Sequence, residues 1–482
     1  MSSGGLSFEQ LAALVVEQAA LIEQLRGRVE ALDAEVGELR RRLAQNSRNS
    51  SRPPSSDGLS KPPPKSLRRP SGRKRGGQQG HPGGHLETVA VPDEIVDHVP
   101  RLCEGCNGDL CDGEDVGHLA RQVFDLPEIG LRSSEHRAHT RRCGCGHETT
   151  AGFPDGVGAP TQYGPRLRAL GLYLVGYQHL PYARAARLMS DWLGAPVSTG
   201  TLAAFMSRGA EDLAPFLDGV HAQITASAVA HFDETGARAA GKLRWLFCAS
   251  TQRATFYSLH DRRGLDGLDH AGVLPNFSGV AVHDGFKPYR NYTNLQHALC
   301  NVHHLRELLG VIEQAPDDPK QAWAVRMDAF LRELHATVEQ ARACGRDRLE
   351  PGELADHEAA YEQIIALGNK HNPAGTIPTG KRGVIRQTPA RNLLVRLDRD
   401  REAVLRFAHD FRVPFDNNQA ERDIRMIKLQ QKISGCWRTI TGAEQFLALR
   451  AYLSTANKQH QPIAETLTAL ATHNPWLPAT DP

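Results

Sequence analysis

Two short apolar runs, AVAHFD at 228–233 and GVAVHD at 279–284, each finish on an aspartate. Small and β-branched apolar residues in runs this short read as buried strands rather than helices. Between them, KLRWLFCAST (242–251) and ATFYSL (254–259) read as a strand pair, and HALC (297–300) as a further short strand. A helical pattern leads out of Asp284. The spacing therefore predicts three strands in series, a crossover and a fourth strand, an α/β layer. In such a layer Asp233 and Asp284 would close adjacent parallel strands at their carboxyl ends, where open α/β sheets gather their sites.

That arrangement fits a ribonuclease-H-like core, and its chemistry follows from the two acids. Paired carboxylates in a partly dry site repel, so one protonates or a cation sits between them. All-oxygen ligands suit Mg2+ or Mn2+. Two such ions about 3.5–4 Å apart favour in-line phosphoryl transfer. A third acid is needed, and PFDNNQAERDIRMIKLQQKISG (414–435) offers Glu421 on a helix that Asp416 or Asn417 would cap. Glu421, Arg425 and Lys428 fall at i, i+4 and i+7, so one face can offer a carboxylate to metal and cations to phosphates. Asp423 and Asp416 are rival third ligands, and an exposed Glu–Arg pair is the plainer alternative.

The remaining chain supplies accessory modules. With 482 residues and roughly 100–200 per domain, three or four are expected. Residues 6–45 carry a heptad: Phe8, Val15, Ile22, Val29, Val36 and Leu43 at a, with Leu11, Gln18, Leu25, Leu32 and Leu39 at d. β-Branched residues at a with Leu at d predict a parallel two-stranded coil, hence a homodimer. Arg28 would face Asp33 of the other chain, and Glu35 would face Arg40. One amphipathic helix packed on its own protein is the alternative. Residues 46–85 are rich in Ser, Pro and Gly; up to position 80 they hold nine Lys/Arg, among them Arg73, Lys74 and Arg75, against the single acid Asp57. A flexible arm of that charge is drawn to a polyanion by counterion release, or serves only as a tether.

Cys103-Glu-Gly-Cys106 and Cys143-Gly-Cys145 bracket a β-like stretch. They predict a structural four-thiolate zinc site in residues 86–160, with Cys111, His136, His139 and His147 as substitutes and unligated thiols as the alternative. Across 161–215, LPYARAARLMSDWLG (180–194) and the Ser198-capped TGTLAAFMSRGAEDL (199–213) read as helix, short turn, helix. That is compatible with a helix-turn-helix, or with two core helices.

The composition excludes a wholly disordered chain and a disulfide miniprotein. No stretch approaches the roughly 18 uninterrupted apolar residues of a membrane span, so no membrane partner is expected. MSSGGLSFEQ lacks a basic segment leading into an apolar one, so no secretory leader is expected. Nine cysteines then suggest a reducing, cytoplasmic compartment, at the nucleoid if DNA is the partner.

Taken in order, NSRNSSRPPSSDG, RKRGGQQGHPG, the cysteine knuckles, YGPRLRAL, QHLPYARAARLMSDWLG, VSTGTL, HFDETG, HDGFKPY, HALCNVHHLREL and FDNNQAERDIRMIKLQQKISGCWRT resemble a transposase of the insertion-sequence-66 family, a DDE-type recombinase. The resemblance implies Asp233, Asp284 and Glu421 as the acidic triad binding two Mg2+ (or Mn2+), with terminal inverted repeats and target DNA as partners. It implies a core in two parts, 220–304 and 401–457, split by a helical insertion at 305–400 and followed by a tail at 458–482. The insertion's basic exit, Lys381, Arg382, Arg386, Arg391, Arg396, Arg399 and Arg401, fits backbone contacts with DNA. Cys300-x-x-His303 matches a feature that follows the second aspartate in several such transposases. It implies positioning of the site or the strand; a zinc pair would need two further ligands, and none is obvious. His283, beside Asp284, would support it. Many relatives carry CWAHARR where this chain has CNVHHLREL, and many act with two small accessory proteins, so such partners are possible rather than required. A ribonuclease-H-like nuclease that cuts without joining, and a non-catalytic transposase-derived DNA-binding regulator, are the rival functions.

Overall fold

The computed structural model describes residues 7–46, 48–50, 80, 86–127, 129–314, 318–375 and 387–479. Arg73, Lys74, Arg75, Lys381, Arg382 and Arg386 lie outside the described residues. The chain divides into two compact units. One comprises Pro64–Glu135 with Leu188–Ala195; the other comprises Met1–Pro63, His136–Arg187 and Pro196–Pro482. Among the described residues no helix is long and apolar enough to cross a membrane.

The heptad segment is one helix, α1 (Phe8–Ala44). Its apolar stripe is open to solvent along its length, from Val15 at 62% exposure to Val36 at 42%. The turn after it is seated on a later helix: Asn49 Nδ2 donates to Glu313 Oε2 at 3.0 Å. A short hairpin, β1 (Thr140–Arg142) and β2 (Glu148–Thr150), follows. Next come α2 (Pro165–Leu172), α3 (Tyr182–Leu193), α4 (Thr199–Asp212) and α5 (Ala214–Thr225). Gly194, at φ +59°, ends α3 in the left-handed region that favours glycine. Ser198 Oγ accepts the Thr201 N–H at 3.0 Å and starts α4.

The central sheet is built from β3 (Val229–Ala239), β4 (Lys242–Ser250), β5 (Thr255–His260), β6 (Val280–His283) and β7 (Gln296–Leu299). Its order is β5-β4-β3-β6-β7, antiparallel from β5 to β3 and parallel from β3 to β7. The crossover between β5 and β6 carries α6 (Leu265–Ala271). The protein is thus of mixed α/β class. Two expectations are corrected. β3 does not end on Asp233 but runs on through DETGARA, because β4 pairs with it residue for residue from His231 to Ala239. The hairpin closes through Ala240 and Gly241, both at positive φ, as a tight two-residue turn requires. Residues 285–295 are not an α-helix: Gly285 at φ +88° and Pro288 permit only a short 3₁₀ segment at Lys287–Asn291.

Helices then dominate: α7 (Asn301–Gln314), α8 (Ala322–Ala343), α9 (Pro351–His371), α10 (Pro389–Arg399) and α11 (Arg401–His409). They share an apolar cluster around Trp323, Leu334, Tyr361 and Leu394, which also takes in β6 and β7. Last come α12 (Asn418–Ser434), α13 (Ile440–Lys458) and α14 (Ile463–Ala471). The final segment is more than a tail, since Leu467 and Leu470 of α14 are buried. α12 and α13 cover one face of the sheet, and α6 with the 3₁₀ segment covers the other. This sandwich buries β3 on both sides and fixes what its acids can reach.

Candidate active site

Asp233 lies on the α12 side of β3, with His231 two residues before it. The parallel ladder pairs His231 with Val282; two residues further along each chain stand Asp233 and Asp284. Neighbouring strands run about 4.8 Å apart, so the ladder sets the two acids side by side. Asp284 lies just beyond β6 in a tight turn, its Oδ1 accepting the Phe286 N–H at 2.8 Å. Glu421 stands in the first turn of α12.

Asp233 and Glu421 both feel the charge of Asp284. Burial drives the Asp233 carboxyl well above its ordinary range, and the charges of Glu234, Asp284 and Glu421 push it further. Glu421 is raised mainly by burial, with Asp416 and Asp284 adding and Arg306 and Arg425 opposing. Glu421 Oε1 is buried without a hydrogen-bond partner; Arg306 Nη2 and His303 Nδ1 each lie 3.9 Å away. Among the described residues the one trio with ligand atoms all within 4.8 Å is Cys300, His303 and Glu421. The oxygens of Asp233, Asp284 and Glu421 are more widely spread. Half-buried carboxylates, of which Glu421 Oε1 has no hydrogen-bond partner, are a donor set that fits hard divalent cations.

Asn417 is the joint that holds Glu421 to the sheet. It occupies the N-cap position but does not cap with its side chain. Its Nδ2 donates to the Phe232 carbonyl at 2.8 Å, and its Oδ1 meets His231 Nδ1 at 2.9 Å. Its backbone N–H donates to Cys300 Sγ at 3.2 Å. Capping falls to Asp416, whose Oδ1 accepts the Asn418 N–H at 3.0 Å. Cys300 and Asn417 thus tie the start of α7 to the start of α12. His283 Nδ1 accepts the Gly285 N–H at 3.0 Å, which leaves Nε2 to donate to His297 Nδ1 at 3.0 Å. The neutral ring so fixed braces the turn that carries Asp284, and burial holds its pKa well below the usual histidine range.

The rival ligand Asp423 serves the core instead. Lys458 Nζ sits 2.8 Å from its Oδ2, and Ser250, Thr255 and Gln419 also donate to it. Burial alone would raise this carboxyl, but Lys458 and these donors hold it below its ordinary value. Lys428 donates to the Gly236 carbonyl of β3 and is half-buried, whereas Arg425 is exposed. Of the basic exit, Arg391 bonds Asn369 and Arg396 pairs with Glu307. Arg399 pairs with Asp400, and Arg401 with Glu362 and Asp398.

Three residues at the site escape sequence reasoning. Glu234, one position after Asp233, faces the opposite side of β3. Its Oε1 accepts from Arg263 Nη2 at 2.6 Å and its Oε2 from the Tyr289 hydroxyl at 2.8 Å. Burial and the Asp284 charge raise its pKa to about 7 against those two donors. The Arg263 guanidinium in turn lies 4.0 Å over the Phe286 ring and 5.0 Å from Trp245. HFDETG displays Glu234 plainly, but its partners are remote in sequence.

The knuckles are exposed turns of similar make. In one, the Cys103 N–H donates to Gly108 O at 2.8 Å, and amides of Gly105 and Cys106 lower the Cys103 thiol pKa. In the other, the Cys143 N–H donates to His147 O at 2.8 Å, and the Cys145 amide lowers the Cys143 thiol. Paired cysteines in such turns suit a Zn2+ donor set.

Fold and site together define a mixed α/β protein whose sheet and a later helix present half-buried acids. Residues 160–445 match the family described as Transposase IS66 family, which spans well over half of the 482 residues, and the chain belongs to that family. Residues 9–87 match a family of unknown function (DUF6444). No curated protein matches the chain.

Proposed function

We propose that this transposase works by the DDE route on a ribonuclease-H-like core, with Asp233, Asp284 and Glu421 holding two Mg2+ (or Mn2+). The observation that carries this reading is that β3 and β6 run parallel with Asp233 and Asp284 at matching positions, while burial and the charges of Asp284 and Glu421 raise the Asp233 carboxyl. The sheet order β5-β4-β3-β6-β7 supports the core assignment. Bound cations would supply charge neutralisation at the scissile phosphate and a more acidic attacking hydroxyl. Asp233 on β3 and Asp284 in the turn that follows β6 stand ready, and Asn417 ties the start of the Glu421 helix to β3. Arg306 and exposed Arg425 flank Glu421 and suit phosphate oxygens. Hydrolysis would free the element's 3′ ends, whose hydroxyls then attack target DNA.

DNA ends are read by α3 and α4 in this account. A cleft of about 520 Å³ beside α4 is lined by Arg168 and Arg208, which suit backbone phosphates, together with Asp212 and the apolar Leu172, Phe205 and Leu470. Cys103 and Cys106 in one knuckle, and Cys143 and Cys145 in the other, are the thiols offered to structural Zn2+. The open stripe of α1 pairs with that of a second chain, giving a homodimer. Small accessory proteins are not required for any of these steps.

Joining of labelled terminal-repeat DNA to a plasmid tests the proposal. Wild type should cut and join, and Asp233→Asn should do neither while still binding ends. Cutting without joining by wild type would favour a nuclease, and binding alone a regulator. Strand transfer by Asp233→Asn at ordinary Mg2+ would overturn the mechanism.

A further inference from the structure

Cys300 directly precedes α7, His303 lies in its first turn, and Glu421 lies in the first turn of α12. The backbone of Asn417 draws the two helix starts together through its hydrogen bond to Cys300 Sγ. One sulfur, one imidazole nitrogen and one carboxylate oxygen consequently lie within 4.8 Å of each other. In the same group of residues, His303 Nδ1 and Glu421 Oε1 are buried, face each other at 3.9 Å and have no hydrogen-bond partner. Buried polar atoms are nearly always satisfied, so a facing pair of orphans asks for something between them.

We propose that Cys300, His303 and Glu421 form a separate site for a thiophilic divalent cation of the Zn2+ class, set in the wall of the acid cluster. A sulfur, a nitrogen and an oxygen donor make a mixed set that zinc accepts and Mg2+ avoids. Tetrahedral bonds of about 2.0–2.3 Å need ligands roughly 3.3–3.8 Å apart, so the trio closes by no more than about 1.5 Å on loading. Burial holds the His303 ring down to about 4, so it is neutral at physiological pH with a lone pair to give. The Cys300 thiol, pushed up to about 12 by burial, releases its proton to solvent as the sulfur–metal bond forms. The fourth position stays open to water. The consequence, which rests on Glu421 being the third catalytic acid, is that a bound zinc-class ion withdraws Glu421 from Mg2+ and shuts the enzyme off.

Cobalt(II) is the probe, added to the full-length chain and followed by equilibrium dialysis and by thiolate-to-cobalt charge-transfer absorption. Cobalt held by the knuckle cysteines is common to every variant, so differences report on this site. Wild type should take up one equivalent more than Cys300→Ser or His303→Gln, with matching extra charge-transfer intensity. His303→Gln, at a less buried position, decides the matter should Cys300→Ser fail to fold. Asp233→Asn should leave that equivalent in place, whereas excess Mg2+, competing for Glu421, should weaken its binding. Equal cobalt uptake by wild type and His303→Gln, or loss in Asp233→Asn, would each overturn the proposal. Missing cobalt uptake beside a transposition-dead Asp233→Asn would sink this site alone and leave the catalytic reading standing.

Discussion

Replacing Asn417 by Ala removes the clamp between the Glu421 helix and β3. The side chain is 1% exposed, and it makes two buried hydrogen bonds, to the Phe232 carbonyl and to His231 Nδ1. Stranding a buried partner costs about 1–3 kcal/mol, so losing two contacts should cost at least about 2 kcal/mol. With about 1.4 kcal/mol per factor of ten, amides of β3 and of the first turn of α12 should exchange at least about thirty-fold faster. Hydrogen–deuterium exchange read by mass spectrometry resolves both segments in one experiment. The helices around Trp323 should be unaffected, because that cluster does not involve Asn417. His231 offers an independent reading, since its bond to Asn417 opposes the lowering of its pKa by burial. Its imidazole should therefore titrate lower still in the variant. Unchanged exchange in β3 would refute the clamp, and with it the account of how Glu421 is held.

Lys458→Met should destabilise the core by about 3–5 kcal/mol, because Asp423 is left buried without its cation. Asp423 has a depressed folded pKa, so its stabilisation is present above about pH 3.8 and is lost as pH falls below it. The stability gap between wild type and Asp423→Asn, followed by thermal melts, should narrow on acidification and not on raising pH. Val29→Asp, in the middle of the open stripe of α1, should turn dimer into monomer in light scattering without altering the fold of the sheet. Elemental analysis should find zinc in the purified protein and less of it in Cys103→Ser, where a full zinc content would exclude that knuckle.

What could be read from residues alone was what depends on local pattern. The heptad, both acid-bearing strands, the Gly194 stop and the Ser198 cap each follow from side chains within a few positions of each other. What escaped depends on partners distant along the chain. Asp233 looked terminal because DETG resembles a turn, and only pairing with KLRWLFCAS carries the strand onward. Lys428 looked free because helical spacing puts it on the Glu421 face, but β3 occupies the later half of that face. Asp423 and Glu421 stand two residues apart on α12, and no local rule separates a core salt bridge from a candidate metal ligand. The tertiary fold does so: Lys458 of α13 pairs with Asp423, whereas Glu421 feels Asp284 and Asp416. Glu234 was hidden similarly, since Arg263 and Tyr289 reach it only after the crossover has folded.

The most direct measurement is Mn2+ binding by full-length protein on terminal-repeat DNA, followed by electron paramagnetic resonance. Wild type should bind a pair of ions close enough to couple magnetically, about 3.5–4 Å apart. Asp233→Asn, Asp284→Asn and Glu421→Gln should each lose that coupled signal. A coupled pair that survives all three substitutions would mean that these acids are not its ligands, and the central claim would fall.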